Sequence, residues 1–159
     1  LAVELSSTLK QHDEALRILD AIPVGTPRRS VILANVLFDQ NDAQGAIPLY
    51  EQAILEEPDF ALPYQRLLLL LEGHSLYEYW LEKAVRMLPS SPWIADCYAR
   101  NLFKAQKFED LAHADWIDEV KIEVDYSVIG HPDYAFEATR AQIVRQTAIA
   151  FSAKGRAWH

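Results

Sequence analysis

Apolar positions along the chain recur at helical spacing, in short stretches separated by polar breaks. Ile32, Leu33, Val36 and Leu37 form one apolar stripe and predict a helix over residues 28–39. The break Asp39-Gln40-Asn41-Asp42 follows, offering side chains that accept hydrogen bonds from the free N–H groups of a helix start. Ala46, Ile47, Tyr50, Ala53 and Ile54 predict a second helix over 43–56, and Pro58 stops it because proline disfavours helical geometry at the residue before it. Pro48 lies inside that stretch, and since an interior proline costs about 3 kcal/mol, a start nearer Ile47 is the alternative.

The plan then repeats. A first helix is expected over 61–72, a turn at Gly73-His74-Ser75, a second helix over 76–88, and closure at Pro89. Pro92-Trp93 opens another first helix to about Lys104, and Lys107-Phe108-Glu109-Asp110 leads into a second helix ending near Val120. At the front, 12–22 reads as a second helix whose partner is only partly present in 1–9, as if the array were cut there. Beyond Val120 the period changes to two at Ile122, Val124, Tyr126 and Val128, which is either a short extended segment or a linker. Gly130-His131-Pro132-Asp133 reads as a helix start with proline in the first turn. The final helix is expected over 132–153, with Phe136, Ile143 and Ala150, spaced by seven, and Ala135, Ile149 and Phe151 nearby, covering the end of the array.

Internal repetition underlies this pattern. Pro27, Pro58 and Pro89 lie 31 residues apart, as do Leu19, Tyr50 and Leu81, and Val36, Leu67 and Tyr98. At the same period Ala15 maps to Ala46 and Ala53 to Ala84. One unit recurs about three to four times. A single helical hairpin is too small to bury its apolar face, so such units stack and share a continuous core.

The run Leu33-Ala34-Asn35-Val36-Leu37, Asn41 through Ile47, Tyr50 through Ile54 and Pro58 resembles a tetratricopeptide repeat. Ala34, Ala46 and Ala53 match the positions where that family has small residues at close helix crossings, and Tyr50 matches its aromatic position. The next unit keeps Tyr64, Leu67, Ala84 and Pro89 but has Leu68 and Tyr77 at small positions, and its 31 residues fall short of the family's usual length. The last, with Tyr98, Ala99, Leu102, Phe108 and Leu111, lacks the closing proline. The resemblance covers 11–120. It implies an all-α, right-handed helical-hairpin solenoid of about three to four repeats: an array over 1–120, a connecting segment over 121–131, and a C-terminal capping helix and tail over 132–159. It also implies a concave groove that binds a peptide or partner protein without a catalytic step. By the resemblance, that groove is lined by first-helix residues Arg28, Asn35, Asp39, Gln65, Leu69, Asp96, Arg100 and Lys104. An amide such as Asn35 pairs with a peptide backbone, and Arg100 and Lys104 pair with a carboxylate. The family's two-carboxylate clamp needs a lysine beside the asparagine; Asn35 is accompanied by Val31 and Asp39, so that specificity is not expected.

Charge narrows the partners. The formal net charge is -8, with 15 Lys+Arg against 23 Asp+Glu, which leaves no broad basic footprint for nucleic acid. The longest apolar stretch, Leu67 to Leu71, is far short of the roughly 20 residues a bilayer-spanning helix needs, so no membrane insertion is expected. The charge is uneven: residues 107–137 carry nine acids and two lysines, whereas 138–159 carry four basic residues and no acid. That asymmetry suits docking of the last helix on the acidic segment, or a homo-oligomer built from the two. Trp158 near the end also points to a docked tail.

No constellation in the sequence calls for catalysis, a metal or a cofactor. His131-Pro132-Asp133 matches two known motifs by letter, but neither a preceding basic helix nor a suitably placed second histidine accompanies it. Residues two apart on a helix do not face each other, which dismisses His113 with Asp115. His12 and His74 stand at helix turns and read as caps. Cys97 lies mid-helix among Ile94, Tyr98 and Asn101, the setting of an inert buried thiol, and one cysteine makes no disulfide. With 5 Gly, none at phosphate-loop spacing, a nucleotide loop is excluded. A non-enzymatic interaction scaffold is therefore the first expectation. The second is a substrate-recognition or dimerisation domain of a larger enzyme, such as a transferase or oxygenase, which the absence of an N-terminal Met and a leader pattern suits. Compartment stays open, with a lean to the cytoplasm from the single cysteine.

Overall fold

The structure is a computed structural model and describes residues 13, 17, 20–24, 26–120 and 133–156. Among the described residues it is all-helical, with no strand. Among the described residues seven α-helices have their bounds shown, in order: α1 (Pro27–Asp39), α2 (Ala43–Glu56), α3 (Ala61–Leu70), α4 (Tyr77–Met87), α5 (Pro92–Lys104), α6 (Phe108–Ala112) and α7 (Asp133–Arg156). A 3-10 turn at Asp115–Ile117 follows α6. The chain divides into two compact units, residues 1–74 and 75–159. The boundary falls inside the array expected over 1–120, and α7 belongs to the second unit.

In the first unit α1 packs on α2, and α2 on α3. Close approach is possible because the contact positions are small: Ala34, Ala46 and Ala53 are all buried. The space between helices is filled by Tyr50, Tyr64, Ile54, Leu67 and Leu68, also buried. The buried positions of α1 are Val31 and Ala34, while Ile32 of the expected stripe is exposed. Two local devices turn the chain between α1 and α2. Asn41 adopts φ 61°, a left-handed conformation that asparagine tolerates better than most residues. The Asn41 and Asp42 N–H groups then donate to Phe38 and Leu37 carbonyls, a Schellman closure. Asp42 next caps α2 by accepting from the Gly45 N–H at 3.0 Å. A Cβ on Gly45 would meet Asp42 Oδ2 at 2.6 Å, so glycine there permits the cap. That cap sets the start of α2 at Ala43, and Pro48 stays within the helix; the alternative start near Ile47 does not occur.

In the second unit α5 is central and packs on α4, α6 and α7. Ser91 accepts from the Ile94 N–H at 3.4 Å and Pro92 occupies the first helical turn, so α5 begins where the sequence places it. It ends as α1 does: Gln106 has φ 58°, and the Gln106 and Lys107 N–H groups donate to Phe103 and Leu102 carbonyls. The following helix differs from expectation. α6 stops at Ala112 and the chain tightens into the 3-10 turn, so no continuous helix runs to Val120. Ala95, Ala99, Leu102, Leu111, Ala114, Ile117, Val120, Ala141 and Ala148 form this unit's core.

The orientation of α7 is a second correction. Among its described side chains the buried positions are Ala141, Arg145, Ala148 and Ser152, with Val144 packed on the core and Phe151 against Phe103 and Phe108, whereas Ile143 of the stripe expected to face inward is 61% exposed. Ala150 is exposed as well. Position 136, the alternating segment 122–128, the 130–132 motif, most of 12–22 and Trp158 lie outside the described side chains or residues.

Candidate partner-binding surface

The first unit brings three polar side chains, Asn35, Asp39 and Arg66, near Tyr50. Tyr50 on α2 is fully buried, and its hydroxyl donates to Asn35 Oδ1 on α1 at 2.6 Å. Burial pushes the Tyr50 pKa up to about 12; nearby Arg66 pulls it down and Asp39 pushes it further up. Arg66 on α3 lies over the Phe38 ring of α1, 4.6 Å from the ring centroid. That cation–π contact fixes the plane of the guanidinium while leaving its N–H groups available. Among the described residues neither the Arg66 guanidinium nor the Asn35 amide Nδ2 has a hydrogen-bond or carboxylate partner. The charges of Asp39, an acceptor, and of Arg66 both act on Tyr50, which also holds Asn35.

Of the residues expected to bind, Asn35 and Asp39 belong to this cluster. Gln65 adjoins Arg66 in sequence, and Leu69 on the same helix is half exposed. Arg28 is exposed, with its guanidinium 5.7 Å from the Phe60 ring centroid. Arg66 was not among the expected residues although the repeat pointed to it: the 31-residue period that relates the prolines carries Asn35 onto Arg66.

The three expected residues of the second unit are arranged otherwise. Asp96 is 1% exposed and therefore presents no group to a partner. It accepts from Arg140 of α7 through both oxygens and from Arg100 Nε at 2.9 Å. Arg100 is thus already engaged with a carboxylate, and its Nη2 also lies 3.7 Å from the sulfur of buried Cys97. Lys104, at the end of α5, is exposed; Arg100 is exposed too, but its charge is paired with Asp96. A second ionic cluster, invisible in the periodicity, holds α7: Arg145, 5% exposed, donates to Asp115, Asp118 and the Ala112 carbonyl. The charge asymmetry is therefore satisfied within the chain at two of the basic residues.

Among the described residues no group of three or more His, Cys, Asp or Glu lies together as metal ligands, and no helix is long and apolar enough to cross a membrane. Comparison with protein-family models, curated proteins and solved structures finds no match.

Proposed function

We propose that the chain is a tetratricopeptide-type helical-hairpin array that binds an extended segment of a partner protein on the first-helix face of its first unit, without a catalytic step. The observation that carries this reading is the uncommitted donor set, Asn35 Nδ2 and the ring-stacked Arg66, beside Asp39. Tyr50 holds the Asn35 amide by its oxygen, so the nitrogen is oriented before any ligand arrives. Such preorganisation lowers the ordering cost of binding. An extended peptide supplies the complement: carbonyl or carboxylate oxygens for Asn35 and Arg66, and an N–H for Asp39. The small residues at the α1–α2 crossing, the buried tyrosines between helices and the matching Schellman ends of α1 and α5 support the repeat reading.

The test is selection from a displayed random-peptide library on the intact protein, followed by NMR mapping of the selected peptide. Shifts concentrated at Asn35, Asp39 and Arg66 are expected. Shifts confined to other surfaces would overturn the assignment.

A further inference from the structure

Two arginines of the first unit are held in the same way. Arg66 on α3 lies 4.6 Å from the Phe38 ring centroid of α1, and Arg28 on α1 lies 5.7 Å from the ring centroid of Phe60, the residue before α3. Residues 26–74 hold seven Asp+Glu against three Lys+Arg, yet neither Arg28 nor Arg66 has a hydrogen-bond or carboxylate partner among the described residues. Carboxylates are abundant in the unit, and both guanidiniums stack on rings instead. Stacking occupies the face of a guanidinium and leaves its edge N–H groups free for a planar acceptor. It also fixes the side chain in advance, which lowers the ordering cost of binding.

Both arginines border one surface. Arg28, Ile32, Asn35 and Asp39 follow each other at helical spacing along a single face of α1, and Asn35 and Asp39 are the α1 residues gathered with Arg66 near Tyr50. The two ring contacts occur in the same order on both helices, Arg28 with Phe60 and Phe38 with Arg66, so α1 and α3 run side by side in one direction. Arg28 to Phe38 is a helical rise of about 15 Å, and Phe60 to Arg66 one of about 9 Å. The guanidiniums therefore lie about 9–15 Å apart along this seam. That is too far for the two carboxylates of one chain-terminal residue. Side chains four residues apart in an extended strand, by contrast, point to the same side at a separation of about 13 Å.

We infer, on the basis of the peptide-binding reading proposed above, that the partner segment carries two acidic side chains four residues apart, one paired with Arg28 and the other with Arg66. Each carboxylate meets a planar fork of N–H donors, the geometry in which guanidinium and carboxylate pair best. Asn35 lies between the two arginines along α1 and donates through Nδ2 to a backbone carbonyl of the intervening residues. Asp39 at the Arg66 end and Asp59 beside Phe60 are exposed and oppose further acids, so the surface reads a spaced pair and not an acidic run.

Peptides selected on the intact protein from a displayed random library test this, with affinities read by fluorescence polarisation. Enrichment of Asp or Glu at positions four apart is expected. Replacing either acid of a selected peptide by its amide is expected to weaken binding about tenfold, and it leaves the fold of the protein untouched. The Arg28→Gln protein is expected to bind the diacid peptide about tenfold more weakly than the wild type does, and to bind one of the two amide peptides as well as the wild type does. Arg66→Gln is expected to do the same with the other amide peptide. Selected peptides that map to Asn35, Asp39 and Arg66 without a spaced acid pair, or with an affinity unchanged by Arg28→Gln, overturn the inference and leave the proposed function standing. Peptides that map to other surfaces overturn both.

Discussion

Tyr50 is buried between α1 and α2 and orients Asn35 through its hydroxyl. Because burial raises its pKa to about 12 from the ordinary 10.0, the folded state keeps the proton longer than the unfolded chain does. Between those two values the unfolded state has lost a proton that the folded state retains, so stability is full below pH 10 and falls as pH rises toward 12. Burial also raises the pKa of Tyr64 and of Tyr98, with Asp59 adding to the first and Asp110 and Glu82 to the second. Tyrosinate absorbance is expected to show part of the tyrosine signal titrating late and together with unfolding. Replacement of Tyr50 by Phe is expected to remove part of that late component and to cost about 1 kcal/mol in urea unfolding through the lost hydrogen bond. A normal titration of every tyrosine would contradict the burial of this site. At this scale the sequence was informative where a repeat position carried the signal. Small and aromatic positions announced Ala34, Ala46, Ala53 and Tyr50, whereas Asp96 read as a groove residue because its partner Arg140 is 44 residues away. Spacing along one helix says nothing of a pairing that distant.

Helices were legible in proportion to how far local chemistry decides them. The starts of α2 and α5 followed from the Asp39–Asp42 break and from Pro92; the structure adds the Ser91 cap of α5. The break after α6 did not, because Glu109 through Val120 contains no proline or glycine and the 3-10 turn depends on tertiary packing of Leu111, Ile117 and Val120. The facing of α7 was misread for a related reason. Its inward contacts mix small residues, Ala141 and Ala148, with Val144, Phe151 and the buried Arg145, a face that no seven-residue apolar spacing describes. Two substitutions test these elements. Gln106→Gly removes the side-chain penalty of a left-handed residue at the end of α5 and is expected to raise stability by about 1 kcal/mol in urea denaturation. No gain would mean the residue is not left-handed in solution. Arg145→Ala is expected to lower stability by about 2 kcal/mol, the size of its charge-assisted hydrogen bonds. Its acceptors Asp115 and Asp118 remain in water, so the larger loss of about 3–5 kcal/mol seen when a buried charge is stranded is not expected. Arg145→Met, which keeps the packing, should recover part of that loss.

Over the whole molecule as far as it is described, the all-helical class was readable from periodicity, whereas the end of α6 at Ala112 was not. The division at residue 74 was not, because nothing in the composition shifts there. Of the three polar residues around Tyr50, Asn35 and Asp39 were legible by resemblance and Arg66 lay one 31-residue period beyond Asn35; only its stacking on Phe38 needed the three-dimensional view. Function rests on whether those donors meet a partner. The most direct measurement is the affinity of a library-selected peptide for the wild-type protein and for two single variants. Asn35→Asp keeps an acceptor for the Tyr50 hydroxyl but removes the amide donors, and Arg66→Gln removes the charge. If the account is right, each variant folds as the wild type does and binds at least about tenfold more weakly, the loss of one charge-assisted or oriented hydrogen bond. Equal affinity across the three proteins would place the partner elsewhere and contradict the assignment of this surface.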